Sequence, residues 1–247
     1  MNPAVSVVIP AYNEEEFIKK CLESVLAQKT TFPFEVIVVD NNCVDKTVEI
    51  VMGFKDVLLV SESKKGLAFA RQKGLDTAKG ELLVYLDADV RLTSGWLQEI
   101  KDYFDNTKDV VGISTGFEFY DGALSHKIGS LVFLFILVPL VSIFLRLVGK
   151  PDVLLGQSNA MRTQALKDAG GINLDFVFHG EDTSLAYQLH KEGKVRFLHH
   201  PVVKSSARRY IRDGSFRTIY DYWITYSLFT LGGYKNAKEF ALKHNPK

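Results

Sequence analysis

Over its first 107 residues the chain alternates short β-rich apolar runs with helical patterns. Val5–Ile9, Glu35–Val39, Val57–Ser61 and Leu82–Leu86 read as strands. Between and after them, Glu15–Gln28, Lys46–Phe54, Gly66–Ala78 and a stretch capped by Ser94 and running to about Thr107 read as helices. Strands joined through helices run parallel, because a helical crossover returns the chain to its starting end. The pattern therefore predicts an α/β fold with a mostly parallel central sheet flanked by helices. Such sheets bind ligands beyond the carboxyl ends of their strands.

Three of those ends carry conspicuous residues. The first gives Pro10-Ala11-Tyr12-Asn13-Glu14, the second Asp40-Asn41-Asn42, and the fourth Asp87-Ala88-Asp89. Carboxylates at 87 and 89 point the same way where the strand ends. Two like charges there are costly without a cation. A hard divalent ion with phosphate oxygens on its other face neutralises them. Alone, an Asp-x-Asp is a solvated turn. Three polar clusters on one sheet edge make a candidate site.

Beyond Phe119 the pattern changes. Gly156-Gln157-Ser158-Asn159-Ala160-Met161 precedes a short helix over Thr163–Ala169 that stops at Gly170-Gly171. Glu181-Asp182 opens a helix through Glu192, closed by Gly193, and carboxylates suit a helix's first turn. Val195–Leu198 reads as a strand ended by His199-His200, with Arg208-Arg209 close behind. A net charge of +1 supplies no field for nucleic acid. Cys21 and Cys43 match neither a zinc site nor a disulfide framework, so a reducing compartment is expected. The N-terminus shows no signal-peptide pattern.

Five motifs taken in order resemble the family 2 glycosyltransferases and their GT-A fold. They are Val7-Val8-Ile9-Pro10-Ala11-Tyr12-Asn13-Glu14-Glu15, Val38-Val39-Asp40-Asn41-Asn42, Gly66-Leu67-Ala68-Phe69-Ala70-Arg71, Leu86-Asp87-Ala88-Asp89 and Gly180-Glu181-Asp182. The resemblance covers roughly residues 5 to 210. This chain departs from it at Asn41-Asn42-Cys43, where the family often has Asp-Gly-Ser, and at Gln72, where it often has Asn.

The resemblance implies an inverting, metal-dependent transfer from a nucleotide-sugar donor, a UDP-sugar ahead of a GDP-sugar. Asp89 would contact Mn²⁺ or Mg²⁺, with Asp87 nearer the ribose and sugar-phosphate. Asp40 would hold the base or ribose. Pro10, Ala11 and Tyr12 would line the nucleoside pocket, with Glu14 near the ribose, and Arg71 would contact the nucleotide. Asp182 would be the general base that accepts the acceptor's proton. A histidine of the 199–200 region joins the metal in some similar proteins. Arg208 and Arg209 suit a diphosphate or a phospholipid, since guanidinium groups bind phosphates bidentately. A sugar-nucleotide nucleotidyltransferase is the enzymatic rival, although Pro10–Glu14 lacks a Gly-rich phosphate loop. A non-catalytic membrane-bound nucleotide-sugar sensor is the rival from another class.

From Ile128 to Leu145 no residue is charged, and Pro139 is expected to divide the run into Ile128–Val138 and Leu140–Val148. Each piece is too short to span a bilayer. A single span would also separate Asp89 from Asp182. Segment 128–148 is therefore read as interfacial helices flanked by Lys127, Arg146 and Lys150, with a buried core helix or dimer contact as the alternative. Arg208, Arg209, Arg212 and Arg217 interleave with Tyr210, Tyr220, Tyr222, Trp223 and Tyr226, a mixture suited to a headgroup layer. The expected layout is a catalytic domain over 1–210 and a helical extension over 211–247. It would work on the cytoplasmic side of a membrane surface, on a lipid-linked or glycan acceptor.

Overall fold

The computed structural model describes residues 2–176, 180–214, 220, 224 and 226–244. Strands β1 (Val5–Ala11), β2 (Phe34–Asp40), β3 (Val57–Ser61) and β4 (Leu82–Leu86) are parallel, joined through α1 (Ile18–Leu26), α2 (Thr47–Met52) and α3 (Leu67–Thr77). β1 lies between β2 and β4, with Ala11 opposite Asp40 and Val8 opposite Tyr85. Val7, Val8, Ile9 and Leu82 through Leu86 are all buried, because helices cover both faces of this half of the sheet.

The second half is mixed. β5 (Arg91–Leu92), α4 (Trp96–Asn106) and β6 (Val110–Phe119) come first. The apolar helix follows as α5 (Leu124–Val132), a π-helical turn (Phe133–Leu137) and α6 (Val138–Leu147). Then come β7 (Ser158–Arg162), α7 (Thr163–Asp168), α8 (Glu181–Leu189), β8 (Lys194–Ser205), α9 (Arg208–Asp213), a π-helical turn (Leu228–Gly232) and α10 (Gly233–His244). The eight strands lie in the order β3-β2-β1-β4-β7-β6-β8-β5. β7 is antiparallel to β4 and β6, and β5 to β8, whereas β6 and β8 are parallel. The expected mostly parallel sheet flanked by helices is present.

Several expected boundaries move. Ser94 is not the cap of α4: Gly95 is, at φ 79°, and no side chain bonds the first turn. The chain needs a left-handed residue there, which favours glycine. His199-His200 do not end a strand, because β8 runs on to Ser205, pairing Val203 with Phe117. The helix expected over Glu15–Gln28 is shorter, running Ile18–Leu26 with Phe17 as its N-cap.

Pro139 does not divide the apolar run. Leu124–Leu147 is one continuous helix of 24 residues. The helix accommodates the proline through a π-helical turn: the N–H of Val138 reaches back five residues to Phe133 O, and Pro139 follows directly after that widened turn. A buried core helix is also excluded, since only 28% of its most apolar window is buried. The body-facing stripe is Ser130, Leu134, Val138, Ser142 and Leu145. Phe135, Ile136, Leu140, Ile143, Phe144 and Leu147 are exposed. Leu134, Val138 and Leu145 share a buried core with Phe117, Phe119, Phe197 and Val203, and Phe135 stacks on His199 of β8. Both ends return to the sheet. Asp121 binds Ser206 and the Ala207 N–H just ahead of α5. Arg146 near the far end pairs with buried Asp152, which accepts the Phe197 N–H at 3.2 Å.

The C-terminal elements dock on α8. The Phe229 ring lies 5.1 Å from Phe176 and 5.7 Å from Tyr187, and Tyr187 and Thr230 share a hydroxyl hydrogen bond of 3.0 Å.

Candidate active site

Parallel register puts the carboxyl ends of β1, β2 and β4 on one edge. Pro10 and Ala11 close β1, and Tyr12 leaves the sheet exposed. Lys65 donates to the Tyr12 hydroxyl at 2.9 Å and lies 4.4 Å from its ring centre. Asp40 closes β2 opposite Ala11 and accepts the Cys43 N–H at 2.9 Å. Asn41 donates to Glu62 O and Lys64 O and accepts the Gly66 N–H, which pins the loop ahead of α3. Gln72 likewise accepts the Ile172 N–H at 2.8 Å. Two departures from the family pattern therefore hold loops.

Two arginines tie the remaining site residues together. Arg208, at the start of α9, donates bidentately to Glu14 at 2.7 Å and through Nε to Asp89 Oδ2 at 2.7 Å. Its guanidinium lies over the Phe17 ring, 4.5 Å from the centre. Arg71, on α3, is 1% exposed. It donates through Nη1 to Asp182 Oδ1 at 2.9 Å and Glu181 Oε1 at 3.0 Å, and through Nη2 to Gly156 O at 3.1 Å. Asp87 Oδ1 lies 3.7 Å from the same Nη2. The Asp-x-Asp pair and the Glu-Asp pair, far apart in sequence, thus share one pocket.

The pocket is short of positive charge. Glu14, Asp87, Asp89, Glu181 and Asp182 face two bridging guanidiniums. Burial raises Glu14, Asp87 and Asp89 above the ordinary carboxylate range, although Arg208 or Arg71 opposes each rise. Burial and then Asp182 raise Glu181, while Arg71 and Arg209 pull it down. A carboxylate excess in an enclosed site fits a divalent cation with hard oxygen ligands. Glu14 and Asp89 already converge on one cationic group, the Arg208 guanidinium. Among the described residues, no three His, Cys, Asp or Glu side chains form a complete metal cage, so phosphate oxygens and water would supply the other ligands.

The structure redirects some expectations. Arg71, expected at the nucleotide, has its guanidinium buried against Asp182 and Glu181. His199 stacks on Phe135 at 5.7 Å and packs edge-on to Phe197, beneath the apolar helix. Arg209 acts electrostatically on Glu181, and Arg212 pairs with Asp213. Arg217, Tyr222 and Trp223 lie outside the described residues. Sequence reasoning assigned nothing to Gly156, Asn159 or Glu181. Their signal was the Gly-Gln-Ser-Asn run and the Glu preceding Asp182, neither of which shows a partner locally.

The α/β sheet, with an Asp-x-Asp pair just past β4 and a Glu-Asp pair opening α8 beside it, has a GT-A-like fold. The chain belongs to glycosyl transferase family 2, whose model matches residues 6–165. Glycosyltransferase AglE of Haloferax volcanii is 36% identical over 134 residues, 51% of this chain and 43% of that protein. The uncharacterized glycosyltransferase EpsJ of Bacillus subtilis is 31% identical over 117 residues, 45% of this chain and 34% of that protein. The matches thus span less than half the length of either relative. S. aureus TarS shares the fold with a TM-score of 0.62 at 20% identity, over 82% of this chain and 36% of that one. The mannosyltransferase PcManGT from Pyrobaculum calidifontis, in complex with GDP-Man and Mn²⁺, gives 0.62 at 22% identity, over 84% of this chain and 58% of that one.

Proposed function

We propose that the chain transfers a sugar from a nucleoside-diphosphate sugar, a UDP-sugar ahead of a GDP-sugar, to a hydroxyl or phosphate acceptor with inversion. The observation that carries this reading is the bridge from Asp87 through Arg71 to Asp182. It brings the strand end that carries Asp89, suited to a diphosphate-bound cation, beside a carboxylate suited to proton removal. Family membership supports it. So do two structural neighbours: PcManGT was solved with GDP-Man and Mn²⁺, and TarS with UDP and with UDP-GlcNAc.

In this reading Pro10, Ala11, Tyr12 and Asp40 line the nucleoside, and Arg208 and Arg209 serve the diphosphate. Asp89 with Glu14 would hold Mn²⁺ or Mg²⁺. When bound, the ion supplies Lewis-acid stabilisation of the departing diphosphate. Asp182 takes the acceptor's proton as its oxygen attacks opposite the leaving group, so one displacement inverts the anomeric centre and no glycosyl-enzyme forms.

The reading extends to location. The exposed face of Leu124–Leu147 rests on the cytoplasmic surface of a membrane without crossing it, since both helix ends return to the β6–β8 sheet. The turn that leads into that helix adjoins Ala207, the neighbour of Arg208 in the chain, which supports a lipid-linked acceptor presented at the site.

A panel of nucleotide sugars with Mn²⁺ or Mg²⁺, followed by thermal shift and nucleotide release, tests the donor assignment. A donor at ten times its Kd stabilises the fold by about 1.4 kcal/mol. No shift and no release with any donor and either ion contradicts the reading.

A further inference from the structure

Asp182 is held in an asymmetric setting. Its Oδ1 accepts from Arg71 Nη1 at 2.9 Å and from Asn159 Nδ2 at 3.4 Å. Its Oδ2 lies against the bare Cα of Gly156, where an added Cβ would come within 2.5 Å. Arg71 also donates to the carbonyl of that same Gly156. The arginine is itself fixed. The Tyr85 hydroxyl, rooted in β4, donates to Arg71 O at 2.8 Å, and the Tyr85 ring centre lies 5.4 Å from the guanidinium carbon. Arg71 therefore locks the orientation of Asp182 and the glycine gap that receives its other oxygen. Both locks are set from one buried side chain.

We propose that Arg71 is a positioning residue for Asp182: by holding Oδ1 and the Gly156 carbonyl it aims Oδ2 for proton removal, and it acts through Asp182 rather than by contacting the nucleotide. This rests on the reading of Asp182 as general base. It replaces the nucleotide contact implied by the family resemblance with a role in the chemical step. Glu181 accepts from the same Nη1, whose two hydrogens serve both carboxylates, and both side chains come from the first turn of α8, entered through Gly180 at φ 82°.

A double-mutant cycle on the full chain tests this. Binding of UDP with Mn²⁺ is measured by calorimetry, and turnover by release of UDP or GDP from the best donor. Asp182→Asn should bind UDP as wild type does and turn over about 10²–10⁴-fold more slowly. Arg71→Met should keep UDP affinity within about threefold while turnover falls at least tenfold, and the double variant should be no slower than Asp182→Asn alone. Arg71→Lys should recover part of the turnover lost in Arg71→Met. Gly156→Ala, which leaves Arg71 in place and crowds Oδ2, should also lose turnover at unchanged UDP affinity. It carries the test if Arg71→Met does not fold. A tenfold loss of UDP affinity in Arg71→Met, losses that multiply in the double variant, or wild-type turnover in Gly156→Ala overturns the positioning role alone. Wild-type turnover in Asp182→Asn overturns the general-base reading, and the positioning role with it.

Discussion

Arg208 Nε lies 2.7 Å from Asp89 Oδ2, while its two terminal nitrogens hold Glu14 at the same distance. One guanidinium thus engages both carboxylates assigned to the ion. A cation binding there must displace that ion pair, so Arg208 should oppose binding of metal alone and favour binding of a diphosphate. Arg208→Gln is expected to bind Mn²⁺ about tenfold tighter in the absence of nucleotide, near 1.4 kcal/mol, and to bind UDP more weakly once Mn²⁺ is present. Calorimetric titration reads both. Mn²⁺ affinity that is unchanged or weaker in the variant contradicts the shared site.

Glu181 predicts a pH effect on stability. Burial and Asp182 raise its folded-state pKa above the ordinary 4.5. A raised carboxyl favours folding while it keeps its proton, and the advantage fades as pH climbs past the unfolded value toward the folded one. Glu181→Gln removes that penalty. Its Tm should exceed that of wild type by about 2–4 °C at pH 8, and the gap should close near pH 4.5. An offset that is the same at both pH values contradicts the assignment.

Asp152 anchors the far end of the apolar helix. It is fully buried and accepts from Arg146 and from the Phe197 N–H. Asp152→Ala strands that backbone donor inside β8 and should cost about 1–3 kcal/mol in urea unfolding. Arg146→Ala should cost at least as much, because it leaves a fully buried carboxylate without its counter-ion. A clearly smaller loss in Arg146→Ala would place the energy in the Phe197 bond instead.

Much of the parallel half of the sheet was legible in sequence. Both faces of β1, β2 and β4 are covered, so these strands read as unbroken apolar runs with polar residues just past their ends. β8 was truncated because Pro201 and a polar stretch interrupt its apolar pattern, yet its pairing with β6 carries on beyond them. Pro139 was read by the rule for regular α-helix, and the π-helical turn before it removes the clash that the rule assumes. The hydrogen-bond acceptors of the Arg71 guanidinium lie 85 to 111 residues away, so no local window connects them. Its motif was visible and its contact was not.

The exposed face of Leu124–Leu147 predicts vesicle binding. Flotation with phosphatidylglycerol-containing liposomes compares wild type with a variant carrying Ile136→Ser, Leu140→Ser, Ile143→Ser and Leu147→Ser, all at exposed positions. Wild type should float, more so with anionic lipid. The variant should stay at the bottom and still bind UDP with Mn²⁺. A wild type that remains monomeric and unbound contradicts the membrane-surface reading and leaves the donor site untouched.

The central claim is a single in-line displacement at the site shared by Asp89 and Asp182. Proton NMR of slow donor hydrolysis, with water as acceptor, reads it most directly. The anomer of the free sugar is recorded before mutarotation, with Mn²⁺ replaced by Mg²⁺ to avoid paramagnetic broadening. First-formed sugar should have the configuration opposite to the donor, and its formation should be lost in Asp182→Asn. First-formed sugar of the donor's own configuration would contradict a single displacement.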